Sequence, residues 1–258
     1  MQALKLPARR GWRWLAGGFA LFRKNPPLLT LLVVSYWVLV AMINLVPVIG
    51  AIAATLCIPA FSVSLMNACR ELDQGRPIRP ALLFSGFREN LKTLLMLGGL
   101  YLGATITILG LSAFADDGVL MQMMLGGKPP GDEALASGPF LAATQIAMIL
   151  LTPLMMAYWY APVLAAWHGF SVSKALFFSF IACLRNWRAF LAYMAAMTVF
   201  GALLPGVVLG LLASLSPDAV SFFATLFSIP LLLVLAPTLF ASFYVSYRDV
   251  FVAVDEDA

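Results

Sequence analysis

Charged residues divide this chain into long apolar stretches. No Asp, Glu, Lys or Arg occurs between Lys24 and Arg70. That stretch is too long for one transmembrane helix of about 20 residues and suits two. Because turn-forming residues at 44–50 lie near its middle, the pattern predicts a tight hairpin with spans at about 27–45 and 48–69.

Four further apolar runs predict four more membrane spans, at residues 93–115, 140–167, 189–213 and 222–247. The segment 116–138 is acidic and rich in Gly and Pro, so it is predicted to be a loop, and a short turn at 215–218 separates the last two spans. The chain is therefore predicted to be an all-α membrane protein with six transmembrane helices in a single domain, residues 1–258.

The composition agrees with a membrane protein. Of the 258 residues, 62% are apolar and 11% are charged, whereas soluble domains contain about 45–50% apolar and 25% charged residues. A water-soluble fold is thereby excluded. The net charge of +4 does not indicate a nucleic-acid partner, because Lys and Arg collect on the cytoplasmic side of membrane proteins.

The distribution of basic residues predicts the orientation. Every Lys and Arg except Lys128 falls on one side of the predicted spans, and this side is expected to be cytoplasmic. Both termini should then be cytoplasmic, and the loop 116–138 should face the outside or the periplasm. The N-terminus is basic like that of a signal peptide, but we expect it to be retained because the apolar run after it is too long.

Two recurring signatures suggest a threefold internal repeat. An Arg followed within two positions by Asn precedes each odd-numbered span, and a proline lies inside each even-numbered span. The signature residues are Arg23, Asn25, Arg88, Asn90, Arg185 and Asn186, and the prolines are Pro59, Pro153 and Pro237. The predicted repeat units, each containing a helical hairpin, are residues 8–69, 78–168 and 172–248; the alternative is that composition alone produces the pattern.

Each signature has a physical interpretation. The Arg and Asn side chains can reach phospholipid headgroups or cap the helix that follows, and each proline is expected to bend its helix. Each unit is also predicted to begin with an in-plane amphipathic helix on the cytoplasmic side. In the first unit, its apolar face comprises Trp12, Leu15, Phe19 and Phe22, and Arg9, Arg10 and Arg13 are suited to headgroups; the other two candidates are residues 80–87 and 173–184.

Through the Arg-Asn starts and the mid-span prolines, most of the chain resembles a loose group of bacterial membrane proteins. This group includes uncharacterised six-span inner-membrane proteins and the membrane domain found with some glycerophosphodiester phosphodiesterases. The resemblance implies a helical module of the bacterial inner membrane without an established activity. It carries over no functional residue, and the chain contains no phosphodiesterase catalytic domain.

Candidate chemistry is sparse. His168 is the only histidine and has no Cys or carboxylate neighbour, so neither catalysis nor metal binding is indicated. The methionines at 121–124 are more typical of a short surface helix than of a copper site. The three cysteines are expected to act as small apolar residues, and the cytoplasmic acids Glu71, Asp73, Glu89 and Asp249 to form solvated ion pairs with neighbouring arginines.

No Asp, Glu, Lys or Arg lies deep within a predicted span, which disfavours ion-coupled transport. We expect a non-catalytic protein without a cofactor that engages membrane phospholipids and scaffolds a lipid-handling or envelope complex, with a possible membrane-protein partner. The alternative is an uncoupled permease or channel for an uncharged or amphipathic solute. Its mildly polar path would comprise Asn44, Thr105, Thr107, Gln145 and Thr198, although these side chains can equally join helices. The acidic tail, residues 250–258, is expected to stand off the membrane.

Overall fold

The computed structural model of the chain describes residues 3–127, 130–215 and 220–251. Lys128, most of the predicted turn at 215–218 and most of the acidic tail lie outside these residues. In chain order the helices are α1 (Arg9–Phe22), α2 (Pro26–Asn44), α3 (Ile49–Asp73), α4 (Leu91–Asp116), α5 (Val119–Met124), α6 (Asp132–Leu135), α7 (Gly138–Tyr158), α8 (Ala161–His168), α9 (Val172–Arg185), α10 (Trp187–Thr198), α11 (Leu204–Leu215) and α12 (Val220–Phe251). A 3₁₀ helix at Pro80–Arg88 precedes α4, and a π-helical turn at Val199–Leu203 joins α10 to α11.

Six segments among the described residues are long and apolar enough to cross a membrane, which confirms the predicted spans. They are Pro26–Asn44, Ile49–Asp73, Leu91–Asp116, Gly138–His168, Trp187–Leu212 and Ile229–Phe251. The fold is all-helical throughout the part of the chain that the structure describes.

Local sequence explains where these spans begin. The side chain of Asn25 accepts a hydrogen bond from the backbone N–H of Leu28 at 3.4 Å, and the prolines that follow Asn25 suit the first turn of α2 because that turn lacks N–H partners. The predicted turn after α2 is also present. It requires glycine at position 50, because a Cβ there would overlap the carbonyl oxygen of Ile43.

The fourth span differs from the prediction of one helix over residues 140–167. It is interrupted between α7 and α8, where Pro162 lacks the N–H that would continue the helix and the hydroxyl of Ser179 is inserted into the helical hydrogen-bond ladder. The N–H of Tyr160 donates to Ser179 Oγ at 2.9 Å, and this hydroxyl donates to the carbonyl of Met156, also at 2.9 Å. In an unbroken helix the Tyr160 N–H would bind the Met156 carbonyl directly.

Three short helices pack on the long spans. The 3₁₀ helix packs on α3, where the N–H of Gly86 donates to Ser64 Oγ at 2.9 Å, and α9 packs on α7 and α8 through Ser179. Helix α1 bridges α10 and α12. A Cβ at Gly11 would overlap the carbonyl oxygen of Ala189 in α10, and one at Gly18 would lie 2.5 Å from the backbone nitrogen of Ser242 in α12.

The apolar face predicted for α1 is only partly exposed. Leu15 and Phe22 are buried, whereas Trp12 and Phe19 are 48% and 44% exposed. The buried stripe of the helix includes Trp14. The difference arises because α1 packs against α10 and α12. These two helices bury a set of α1 side chains that the amphipathic pattern of α1 alone does not predict. The other predicted amphipathic segments are the 3₁₀ helix and α9, and their in-plane placement stays a prediction.

Candidate functional site

The carboxylate of Asp73, at the end of α3, connects α3 to α12 and to the turn before α2. Arg248 Nη1 lies 2.5 Å from Asp73 Oδ2, and the Tyr244 hydroxyl donates to the same oxygen at 3.1 Å. The Nζ atom of Lys24 lies 3.7 Å from Asp73 Oδ1. Partly exposed ion pairs contribute only about 0–1 kcal/mol each, so the main effect of this cluster is to set the relative positions of the helices.

A second carboxylate holds α1 against α12. Arg10 Nη1 lies 3.2 Å from Asp249 Oδ1, and Trp14 Nε1 donates to Asp249 Oδ2 at 2.9 Å. The expectation that the acids pair with neighbouring arginines along the chain is therefore wrong for Asp73 and Asp249, whose partners Lys24, Arg248 and Arg10 are all distant in sequence. Adjacent residues of a helix point in different directions, whereas packed helices bring distant residues together.

The three asparagines of the repeated signature play different roles. Asn25 caps α2. Asn90 donates to the carbonyl of Ala165 at 3.0 Å and so joins α4 to α8. Asn186 is buried, accepts from the N–H of Leu6 and donates to the carbonyl of Leu4, both at 2.8 Å. Since Asn186 binds the protein's own N-terminal segment, the predicted headgroup contact is wrong for this residue.

The three arginines of the same signature, Arg23, Arg88 and Arg185, are all exposed. The guanidinium of Arg23 lies 6.0 Å from the centroid of the Phe19 ring. None of the three takes part in an ion pair within the described residues. They are accordingly accessible to an anionic group.

Arg88 also contributes to a cavity of about 410 Å³ between α3 and the 3₁₀ helix, which we call the arginine pocket. Its residues are Glu71, Arg76, Pro77, Arg79, Ala81, Leu82, Ser85 and Arg88. Arg76 Nε lies 2.6 Å from Glu71 Oε2, whereas Arg79 and Arg88 form no ion pair within the described residues. Arg76 and Arg79 are not among the residues predicted from the sequence, where the only signal for them is their presence in the same short connector as Arg88.

The three predicted helix-bending prolines lie inside continuous helices. Pro59 lies in α3, Pro153 in α7 and Pro237 in α12. Each lacks an N–H and leaves the carbonyl four residues earlier without its helical donor. The bends themselves stay a prediction.

All six spans line a central cavity of about 620 Å³. Each span contributes at least one side chain to the cavity wall, for example Trp37, Ile58, Tyr101, Met155, Met197 and Phe240. The wall also contains Pro59, and, as far as the structure describes the chain, it includes no Asp, Glu, Lys, Arg or His. Within the same part of the chain, the buried indole nitrogen of Trp159, another wall residue, has no hydrogen-bond partner.

An aromatic layer packs along α12 immediately after the cavity residue Phe243. It comprises Tyr160, Trp167, Tyr247 and Phe251. The ring centroid of Tyr160 lies 5.3 Å from that of Phe251, and the ring centroid of Trp167 lies 5.1 Å from that of Tyr247. Trp167 Nε1 donates to Asn67 Oδ1 at 2.8 Å. Tyr247 and Phe251 of this layer lie one and two helical turns beyond Phe243 in α12.

The polar path predicted for a permease is not assembled at this cavity. Asn44, Thr105, Thr107, Gln145 and Thr198 all lie outside its wall. Thr107 and Thr198 donate to carbonyls of their own helices, at 2.8 and 3.0 Å. These two hydroxyls therefore satisfy backbone groups.

The remaining candidate chemistry has structural partners. His168 Nε2 lies 2.6 Å from the hydroxyl of Tyr247, and Leu120 of α5 is buried whereas Met124 is 57% exposed. Burial raises the pKa of the Cys183 thiol, which makes it a poor nucleophile. Among the described residues no group of three His, Cys, Asp or Glu side chains is placed to hold a metal ion.

A probable inner membrane protein of Burkholderia thailandensis is 38% identical to this chain over 257 residues, which cover 97% of this chain and 94% of the relative. No family model matches the sequence, and no solved structure matches it. The relative's name and the six apolar helices agree with the predicted inner-membrane location. The resemblance to the membrane domain found with phosphodiesterases stays a prediction.

Proposed function

The chain belongs to the family of the Burkholderia inner membrane protein, and we propose that it is a non-catalytic module that binds anionic phospholipid at its cytoplasmic face. The observation that carries this proposal is the arginine pocket. Arg79 and Arg88 are exposed there without an ion-pair partner among the described residues, and Arg76 lies beside them. Guanidinium groups match phosphate oxygens through paired hydrogen bonds.

The expected orientation supports a lipid source for this phosphate. Under the positive-inside rule the arginine pocket lies on the cytoplasmic face, where anionic lipids attract basic segments by about 1 kcal/mol per cation. Arg23 and Arg185 extend the basic face beyond the pocket. In this proposal Asn25 and Asn90 hold the helices that present these cations, and Asn186 fixes the N-terminal segment.

We also propose that the chain is a threefold repeat. Each of the three short segments, α1, the 3₁₀ helix and α9, packs on the second span of the unit that precedes it in a ring, namely α12, α3 and α7. Such a closed arrangement suits a scaffold for a lipid-handling or envelope complex, because it presents similar elements around its circumference. A stoichiometric membrane protein that copurifies with the chain would support the scaffold role.

The headgroup proposal is tested with the full chain reconstituted in nanodiscs that contain phosphatidylglycerol. The double variant Arg79→Gln/Arg88→Gln should reduce retention of this lipid in native mass spectrometry by about tenfold, or about 1.4 kcal/mol. The control Lys5→Gln/Arg13→Gln removes the same charge from exposed positions outside the pocket. Equal losses in both variants would contradict a specific site, and displacement by inorganic phosphate alone would contradict a lipid ligand.

The second candidate function is an uncoupled permease, which the central cavity supports and the aromatic layer opposes. A cysteine introduced at Ser62, in the cavity wall, distinguishes the two. Rapid reaction with a charged, membrane-impermeant thiol reagent would favour a permease, whereas protection would favour the lipid-binding module.

A further inference from the structure

We propose that the central cavity binds one acyl chain of an anionic phospholipid, which enters between α7 and α10. This inference rests on the proposed function only in taking phospholipid as the ligand class. Its residues lie outside the arginine pocket, so either site can exist without the other.

The chemistry of the wall selects a hydrocarbon chain. The cavity volume of about 620 Å³ lies within the range of about 300–1,000 Å³ that is typical of ligand pockets. Its surface consists mainly of aromatic, aliphatic and methionine side chains. The hydroxyl of Thr55 in this wall already donates to the carbonyl of Ala51 at 2.8 Å, and the hydroxyl of Tyr193 bonds to Ser242 at 2.6 Å. A polar solute would therefore find few partners.

The depth of the cavity within the predicted membrane core favours a lipid acyl chain as its occupant. Trp37 lies 11 residues after the start of α2, and Tyr101 lies ten residues after the start of α4. At about 1.5 Å per residue, both are roughly 15 Å from the starts of their helices, which is half of a hydrocarbon core of about 30 Å. At this depth the surrounding solvent is acyl chain.

The lateral opening is indicated by two wall residues on different spans. Met155 of α7 and Met194 of α10 both line the cavity, yet they are 44% and 51% exposed. Methionine side chains are flexible enough to admit and then pack against a chain. We therefore place the lateral entrance to the cavity between these two methionines.

Charge complementarity indicates an anionic lipid. The outer surface of α10 continues from Met194 through Leu191 to Trp187, and these side chains are 51%, 59% and 51% exposed. Arg188 follows Trp187, and its guanidinium lies 5.3 Å from a Trp187 ring centroid. Because Arg188 precedes Met194 by six residues, or about 9 Å of helix, a phosphate at Arg188 would place a chain along Leu191 and into the cavity.

The aromatic layer explains why the chain ends in the cavity rather than passing through it. Tyr160 and Tyr247 are both buried and pack against each other at 6.0 Å between ring centroids. The Tyr160 hydroxyl donates to Ser246 at 3.1 Å. In this proposal the layer bounds the acyl chain where α12 continues beyond the cavity residue Phe243.

The test uses the full chain in nanodiscs with a phosphatidylglycerol that carries a diazirine at the middle of one acyl chain. Light should cross-link this lipid to cavity residues such as Met155 and Met197. The variant Thr55→Phe fills the cavity and should reduce these cross-links by at least about tenfold. The control Thr107→Phe adds the same ring to a threonine with the same helical hydrogen bond outside the cavity, and should leave them unchanged. Thermal unfolding of both variants checks that they are folded.

The outcomes separate this inference from the headgroup proposal. Loss of cross-links in Thr55→Phe but not in Arg79→Gln/Arg88→Gln supports an independent chain site. Unchanged cross-linking in folded Thr55→Phe, or equal loss in Thr107→Phe, would overturn the inference whatever the arginine variant does. If Thr55→Phe does not fold, Ser62→Phe provides the second filling variant, and the same criteria apply.

Discussion

The hydroxyl of Thr30 in α2 donates a hydrogen bond to the backbone carbonyl of Leu233 in α12, at 3.2 Å. Leu233 is four residues before Pro237, so its carbonyl is the one that the proline leaves without a helical donor. A side chain from the first span thus satisfies a backbone group that a proline has released in the last span. In a bilayer, where water cannot replace the missing donor, this is how a mid-span proline is tolerated.

Replacing Thr30 by Val should destabilise the protein, because the shape is kept while the Leu233 carbonyl loses its donor. An unsatisfied buried acceptor costs about 1–3 kcal/mol, which thermal unfolding in a mild detergent would detect. Thr107→Val is the control, since its hydroxyl binds a carbonyl of its own helix. If the two variants unfold at the same temperature, the interhelical bond does not contribute.

Ser179→Ala should alter the junction between α7 and α8. The N–H of Tyr160 and the carbonyl of Met156 both lose their partner, at an expected cost of about 1–3 kcal/mol unless the helix closes the gap. Hydrogen exchange at Tyr160 should accelerate. Ser173→Ala, at an exposed position of the same helix α9, should leave this exchange unchanged, and unaltered exchange in Ser179→Ala would contradict the inserted hydroxyl.

Replacing Trp14 and Trp159 by Phe should lower the stability by different amounts. Trp14→Phe loses the hydrogen bond to the Asp249 carboxylate, and bonds to charged groups contribute about 1.5–3 kcal/mol. Trp159→Phe removes an indole N–H that has no acceptor among the described residues, so its effect should be smaller. The comparison requires only the two unfolding midpoints, and a lower midpoint for Trp159→Phe than for Trp14→Phe would be inconsistent with these contacts.

The packing of α1 depends on the absence of a side chain at position 18. Gly18→Ala places a Cβ against the backbone of Ser242, so α1 should shift away from α12 and the chain should become more sensitive to limited proteolysis near its N-terminus. A Cβ at Gly103 meets nothing within 4 Å, which makes Gly103→Ala the control. Equal protease resistance in the two variants would show that the close approach is not required.

The expected orientation can be tested by cysteine labelling in intact cells. Glu133→Cys, in the loop predicted to be external, should react with an impermeant reagent, whereas Arg185→Cys should react only after permeabilisation. Cys69 and Cys183 are buried, and Cys57 is replaced by Ala in both variants to remove the remaining background. Labelling of Arg185→Cys from outside would show that the true orientation is the opposite of the predicted one. The arginine pocket would then not lie on the cytoplasmic face.

The sequence by itself determined the number of spans and most of their ends. A bilayer requires about 20 apolar residues per helix. Charged residues, glycines and prolines mark the positions where the chain leaves the bilayer, as the prolines after Asn25 and before Gly50 do. These signals are local, so no knowledge of other segments was needed. For the same reason Arg23, Arg88 and Arg185 were identifiable as cations next to the starts of spans, and all three are exposed.

Only the tertiary structure decided which residues meet. The partners of Asp73 come from both ends of the chain, Ser179 of α9 bonds into the junction between α7 and α8, and Asn186 binds the N-terminal segment. The central cavity likewise exists only where six spans leave space between them. Such features depend on the packing of side chains from distant segments. In a membrane protein the lipid-facing side of a helix is as apolar as the core. The hydrophobic periodicity that would reveal the packed face of each helix is therefore weak.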